Sequence, residues 1–131
     1  MNDLINIENK ILVIRGQQVM LDRDLAELYG VETRIINQAV KRNAKRFPKP
    51  FFFQINKGEA DYYLNSIRSQ SVILKTEADS HRGKHLKYLP FAFTEQGVAM
   101  LSAVLHSETA IKVSIDIMNA FVAMRKLLLS N

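Results

Sequence analysis

Between Leu21 and Arg46 two short amphipathic runs meet at a glycine, and that corner limits the folds open to the chain more than any other stretch. In LDRDLAELYGVETRIINQAVKRNAKR, Leu25 and Ala26 lie within the first run, Gly30 and Val31 at the corner, and Ile36 and Ala39 within the second. Ala26 is small enough to let a second helix cross closely. Gly30 can take the positive φ that ends a helix, and Val31 is expected to plug the angle between the two. This is the spacing of a helix-turn-helix, a motif whose second helix lies in the major groove of DNA.

The second run separates into two sides when residues 34–45 are projected at about 100° per residue. Ile35, Ile36, Ala39 and Val40 fall together; Arg34, Asn37, Gln38, Lys41 and Lys45 fall opposite, with Arg42 at the margin. The polar side carries no acid, and Glu32 precedes it at the expected cap. An ordinary solvated face mixes signs in (i, i+4) pairs. Here like charges crowd together, a mild cost that a polyanion removes. Asn and Gln are the types that bond adenine edges, and Arg is the type that bonds guanine. Arg34, Asn37, Gln38 and Lys41 are therefore the candidate base readers, and Arg42, Lys45 and Arg46 the candidate phosphate contacts.

The balance of the whole chain agrees with such a partner. It has 131 residues, 47% of them apolar, and a formal net charge of +5, with a pI near 9.6. One domain with a real core is expected at this length, and the excess of cations favours a polyanion. There is no cysteine, so neither a disulfide scaffold nor a cysteine-based zinc site is available. No signal peptide is visible and no apolar run approaches the roughly 18 residues of a membrane span. A cytoplasmic protein is expected.

Along the chain, Lys10–Leu21 holds two β-rich runs around Arg15-Gly16-Gln17 and reads as a hairpin. Asp22 is expected to cap the helix that follows, with Asp24 and Glu27 near its start suiting the macrodipole. Phe47-Pro48-Lys49-Pro50 forces an extended path, and Phe51–Ile55 reads as a strand whose Phe51 and Phe53 face the core. Asn56 with Glu59 is a capping-box start for a short helix through about Asn65. Residues 67–93 read as a β-hairpin wing, from a strand-like Ser71–Lys75 through a polar tip to a returning strand at Leu86–Phe93. The basic part of this wing supplies Arg82, Lys84 and Lys87 as further phosphate candidates.

Thr94 is expected to cap a helix to about Leu105, and Ser107 a longer one to about Leu129. On the longer helix Lys112, Asp116, Asn119 and Lys126 form a narrow polar stripe, and apolar residues fill most of the remaining girth. So much apolar surface exceeds what one small domain is expected to cover. Ile115, Met118, Phe121, Val122 and Met124 are therefore candidates for a homodimer interface, which twofold DNA readers require. Closure of the monomer core by residues 94–129 is the rival explanation.

LAELYGVETRIINQAVKRN, RFPKPFFFQ, IRSQ and YLPFAFTEQGVAMLSAVLHSETAI together resemble the Orf-six N-terminal domain of phage and prophage proteins, which is related to the KilA-N DNA-binding domain. The likeness spans residues 7–126, and LPFAFTEQGVAMLS is its most specific part. It implies a DNA-binding module of the kind fused into viral or prophage regulators and antirepressors. It brings no base-contacting residues with it, so those assignments rest on the helix projection.

Sites for catalysis are poorly supported. His81 and His85 are four apart beside Glu77 and Asp79, but Gly83 in a polar loop argues against the helix that would converge them on a metal. His106 reads as a helix-end residue. Gly83-Lys84 lacks the remaining residues of a phosphate loop, and Ser102 and Ser107 lack the flanking glycines of a nucleophile elbow. No cofactor, no metal and no enzymatic activity are expected.

The expectation is an α+β, winged helix-turn-helix-like domain over residues 1–131: an N-terminal β-hairpin (1–21), the helix-turn-helix (22–46), a strand, short helix and basic wing hairpin (51–93), and a C-terminal helical pair (94–129). Its expected role is that of a double-stranded DNA-binding domain in a phage-type regulator. An antirepressor-like module that captures a phage repressor through the C-terminal helices is the second reading.

Overall fold

The computed structural model describes residues 7–68 and 88–130. Strands β1 (Leu12–Ile14) and β2 (Gln17–Leu21) form the expected hairpin, with Leu12 opposite Val19, Val13 opposite Gln18 and Ile14 opposite Gln17. Its two turn residues, Arg15 and Gly16, hold φ of 56° and 76°. Positive φ at both positions lets a two-residue turn follow the right-handed twist of its strands. The Arg15 guanidinium lies 4.2 Å from the centre of the Phe53 ring, a contact that helps offset the strain of a left-handed arginine.

β2 is an inner strand, which explains why Val19, Met20 and Leu21 are all buried although they alternate faces. It pairs antiparallel with β4 (Phe91–Thr94), placing Met20 opposite Phe93 and Leu21 opposite Ala92. With β3 (Phe52–Gln54) the sheet order is β1-β2-β4-β3.

Helix α1 (Asp22–Tyr29) begins where β2 ends. The cap position belongs to Leu21, which has no side-chain oxygen to offer, and Asp22 is instead the first helical residue. Gly30 closes α1 in the left-handed conformation, its N–H bonded to Glu27 and that of Val31 to Ala26. This double closure is a Schellman ending. Val31 does not plug the corner: it is 37% exposed, because the closure turns it outward. Helix α2 (Thr33–Arg42) follows at once and buries Ile36 and Val40, four residues apart on one face.

Two 3₁₀ turns, Ala44–Arg46 and Lys49–Phe51, carry the chain to β3. Between them Phe47 is buried, edge-on to Phe52 and to Phe93 at centroid distances of 6.0 and 6.4 Å. Phe52 stacks on Phe93 at 5.5 Å. Phe51, Phe52 and Phe53 are all half-buried, and it is Phe52 that joins the cluster of Phe47 and Phe93. The second turn takes up Phe51 and moves the start of the strand one residue along.

Helices α4 (Glu95–Leu105) and α5 (Glu108–Leu129) have the expected caps. Thr94 accepts from the Gly97 N–H at 3.3 Å, and Ser107 from the Ala110 N–H at 3.0 Å. The Thr94 hydroxyl also donates to the carbonyls of Pro50 and Phe51. There the chain comes so close that a β-carbon on Gly97 would lie 2.1 Å from the Phe51 oxygen. His106 joins the two helices in the left-handed conformation, φ 53°. α5 buries Ala110, Ser114, Ile117, Ala120 and Phe121, one side of the helix.

By spatial grouping the chain forms two compact units, Met1–Phe53 with Ala92–Asn131, and Gln54–Phe91, although no composition shift marks either join. In the second unit α3 (Lys57–Arg68) starts with a reciprocal capping box: Glu59 N–H to Asn56 Oδ1 and Asn56 N–H to Glu59 Oε1, both 2.8 Å. Gln54 Nε2 donates to the Leu89 carbonyl at 2.9 Å, and the Ile55 N–H to that of Pro90 at 3.0 Å. Of the expected wing, the Ser71–Lys75 strand and Arg82, Lys84 and Lys87 lie outside the described residues; its first residues, up to Arg68, belong to α3, and its returning strand is β4, which starts at Phe91 and pairs with β2.

Gly97→Ala is expected to cost about 3 kcal/mol, since the obstructing atom is backbone. His106→Gly is expected to stabilise by roughly 0.5 kcal/mol, the relief of a left-handed residue exceeding the added freedom of the unfolded chain. Denaturant titrations of the two variants, with opposite signs anticipated, check both.

Candidate nucleic-acid interface

The burial of Ile36 and Val40 turns the opposite side of α2 outward. Arg34, Gln38, Lys41 and Arg42 are exposed there, and Lys45 and Arg46 continue the exposed cations into the first 3₁₀ turn. Lys49 extends them into the second. No acidic residue occurs between Glu32 and Glu59. Glu32 is paired with Arg34, Nε to Oε1 at 2.7 Å, with both side chains largely exposed. A pair so open to water contributes little, so Arg34 can leave it for a phosphate or a base at small cost.

Phe47 fixes the second half of this face. Its ring is held in the aromatic cluster, so the 3₁₀ turns on either side present Lys45, Arg46 and Lys49 from backbone that is anchored in the core. Sequence reasoning passes over Lys49, because the Pro48-Lys49-Pro50 segment reads there as backbone path alone. Asn43 bonds the Ala39 carbonyl at 2.8 Å and finishes α2.

Asn37 is placed differently from its neighbours on the projection. Its Nδ2 donates to Asp22 Oδ2 at 3.1 Å, and the side chain is only half exposed. Asp22 itself is fully buried, with Oδ1 accepting from the Arg23 N–H at 2.7 Å. No local sequence pattern signals that pairing, because its members are fifteen residues apart.

Two further groups tie α1 into the fold. The Tyr29 hydroxyl and the Ser114 hydroxyl are 2.6 Å apart in the interior, joining α1 to α5. Burial pushes the Tyr29 phenol above its ordinary pKa, and the bond to Ser114 opposes that shift. Burial likewise raises the Asp24 carboxyl, against the pull of Lys10 and Arg23.

The candidate interface residues on α5 divide. Ile115 is 55% exposed, and Met118, Val122 and Met124 are half-buried. Phe121 is fully buried within the chain and cannot meet a partner. It fills the core because it shares a face with Ala110, Ser114 and Ile117. The remaining outward apolar surface of α5 is Ile111 and Ile115 towards its start and Leu127, Leu128 and Leu129 at its end. A cleft of about 430 Å³ includes none of the basic residues of α2 and the 3₁₀ turns in its lining, which is made by Gln17, Gln18, Gln96 and Met118 and by the Glu95–Arg125 ion pair, 2.6 Å.

An α+β domain with an acid-free basic helix side is the class these elements define. Residues 9–104 match the family model of the ORF6N domain, and the chain belongs to that family of phage-type domains. The matched span runs from the hairpin into the last turn of α4 and stops short of α5. No curated protein and no solved structure matches the chain. No helix among the described residues is long and apolar enough to cross a membrane.

The raised Asp24 carboxyl has a calculable sign. The folded state holds its proton more tightly than the unfolded state, so this group disfavours folding progressively as pH rises from the ordinary carboxylate range through the raised pKa. Asp24→Asn is expected to raise the melting temperature at pH 7, with the gain shrinking towards pH 3. A pH series of thermal melts of both proteins measures it.

Proposed function

We propose that this chain is the double-stranded DNA-binding domain of a phage-type regulatory protein and acts by binding, without catalysis, in the cytoplasm. In this reading α1 and α2 are a helix-turn-helix, and α2 enters the major groove. The observation that carries it is the uninterrupted outward set Arg34, Gln38, Lys41, Arg42, Lys45, Arg46 and Lys49, backed by the buried Ile36 and Val40. Arg34, Gln38 and Lys41 stand one to two helical turns along the outer side of α2, where they would meet base edges. Arg42, Lys45, Arg46 and Lys49 lie at the helix end and in the anchored turns, the place for backbone phosphates. Arg82, Lys84 and Lys87 are kept as wing contacts. Pairing of two chains through Ile115, Met118, Val122 and Met124 would supply the twofold symmetry of such readers.

A second reading has its own support. The outward Ile111, Ile115 and Leu127–Leu129 on α5 are apolar surface of the kind that meets another protein. An antirepressor-like module working through the C-terminal helices, with a phage repressor as its partner, would use it.

The two roles assigned to the basic residues separate by salt and by sequence. Lys45→Ala is expected to weaken all duplexes alike and to lower the slope of log K against log salt by about 0.9. Gln38→Ala is expected to flatten base preference by about 1–3 kcal/mol at the contacted position. Random-oligonucleotide selection, followed by fluorescence anisotropy at a series of salt concentrations, measures both. Identical behaviour of the two variants on every duplex would defeat this division of roles. Full repressor capture that survives Gln38→Ala, in a chain with no duplex affinity, would favour the second reading.

A further inference from the structure

We propose that Asn37 positions α2 rather than reading bases, and that it does so by holding the buried carboxylate of Asp22. The functional half of this inference rests on the DNA-binding reading above.

Asp22 is the first residue of α1, is fully buried and presents two oxygens that can only accept. A carboxylate out of water requires donors. Here Oδ1 takes the Arg23 N–H at 2.7 Å and Oδ2 takes Asn37 Nδ2 at 3.1 Å. The start of a helix favours negative charge, so the anion is placed where the backbone helps to support it. Asn37 lies on α2, just past its first turn. The bond therefore joins the start of α1 to the early part of α2, across the left-handed corner at Gly30.

That bridge bears on base reading through its neighbours. Arg34, Gln38 and Lys41 lie three residues before, one after and four after Asn37 on the same rigid helix. The buried Ile36 and Val40 set which side of α2 faces inward, and the Asn37–Asp22 bond adds a directional polar tie to the roll of the helix. Bidentate adenine recognition uses both the oxygen and the nitrogen of a carboxamide, and here the nitrogen is turned inward. The polar end of Asn37 is thus engaged inside the protein.

A swap of the two side chains tests this. Asn37→Asp sets two carboxylates against one another, and a loss of thermal stability is expected. It is also expected to lower the ratio of specific to non-specific duplex affinity about tenfold or more. In the Asp22→Asn/Asn37→Asp double variant, the carboxamide oxygen now at position 22 can still accept from the Arg23 N–H. Its nitrogen donates in turn to the carboxylate now at position 37. The double variant is expected to regain stability and to select the same duplex sequence as the natural chain. Asp22→Asn alone keeps an oxygen for the Arg23 N–H and presents its nitrogen to Asn37, whose carboxamide can turn its own oxygen inward to accept. This variant is expected to fold and to keep that selection, which guards against reading mere unfolding as loss of positioning.

A double variant no more stable than Asn37→Asp would overturn the proposal, since the pair would not be coupled. So would a stable double variant with a new base preference at one position, the mark of direct reading by residue 37. If the natural chain binds no duplex at all, the DNA-binding reading fails and the positioning role fails with it. That result is distinct from a failed swap in a chain that binds.

Discussion

The close approach of α4 to the 3₁₀ turn at Lys49–Phe51 is the constraint on which the arrangement of the larger unit depends. Gly97 has no side chain where the Phe51 carbonyl sits, and Thr94 uses one hydroxyl on both segments, capping the helix and donating to the turn. Packing without that allowance would push the turn away from α4. The turn also sets where Phe52 enters β3 and where Phe47 meets Phe52 and Phe93. The cations at Lys45, Arg46 and Lys49 are thereby referred to the core through backbone and ring contacts, and their placement does not rely on salt bridges among the described residues.

α1 serves as the connection between that outer face and the rest of the molecule. Its N-terminal carboxylate meets α2, its last tyrosine meets α5, and its closing glycine sets the corner. Each link is of a different kind: a charged hydrogen bond, a buried pair of hydroxyls, and a backbone conformation. Mutual support of this sort is why two helices of eight and ten residues, each too short to persist alone in water, hold a fixed angle.

Much of this was legible in advance because it is written in local chemistry. Glycine at the corner, threonine and serine before the last two helices, and Asn56 three residues ahead of Glu59 each act through atoms within a few residues of themselves. Their geometry follows from the chain's own stereochemistry. The misplacements share the opposite cause. Asp22 missed its cap by one residue and found Asn37, a partner remote in sequence. The strand starts at Phe52 and not at Phe51, because Phe51 is taken into a turn held by Thr94 and Gly97. Phe121, apolar like most of its helix, turns inward because its face is decided by what α5 packs against. Hydrophobic pattern fixes a period, but where a helix is apolar nearly all round it cannot fix a direction.

The exposed cations Lys41, Arg42, Lys45, Arg46 and Lys49, with no carboxylate among the residues between them, repel one another along one flank of the isolated molecule. Dissolved ions screen that repulsion, so a more concentrated electrolyte eases the strain within the unliganded chain. The same ions compete for any polyanion and weaken its grip. On the DNA-binding reading proposed above, ionic strength would thus act with contrary signs on the conformational stability of the apo form and on the tenacity of its complexes, and the one flank would be responsible for both.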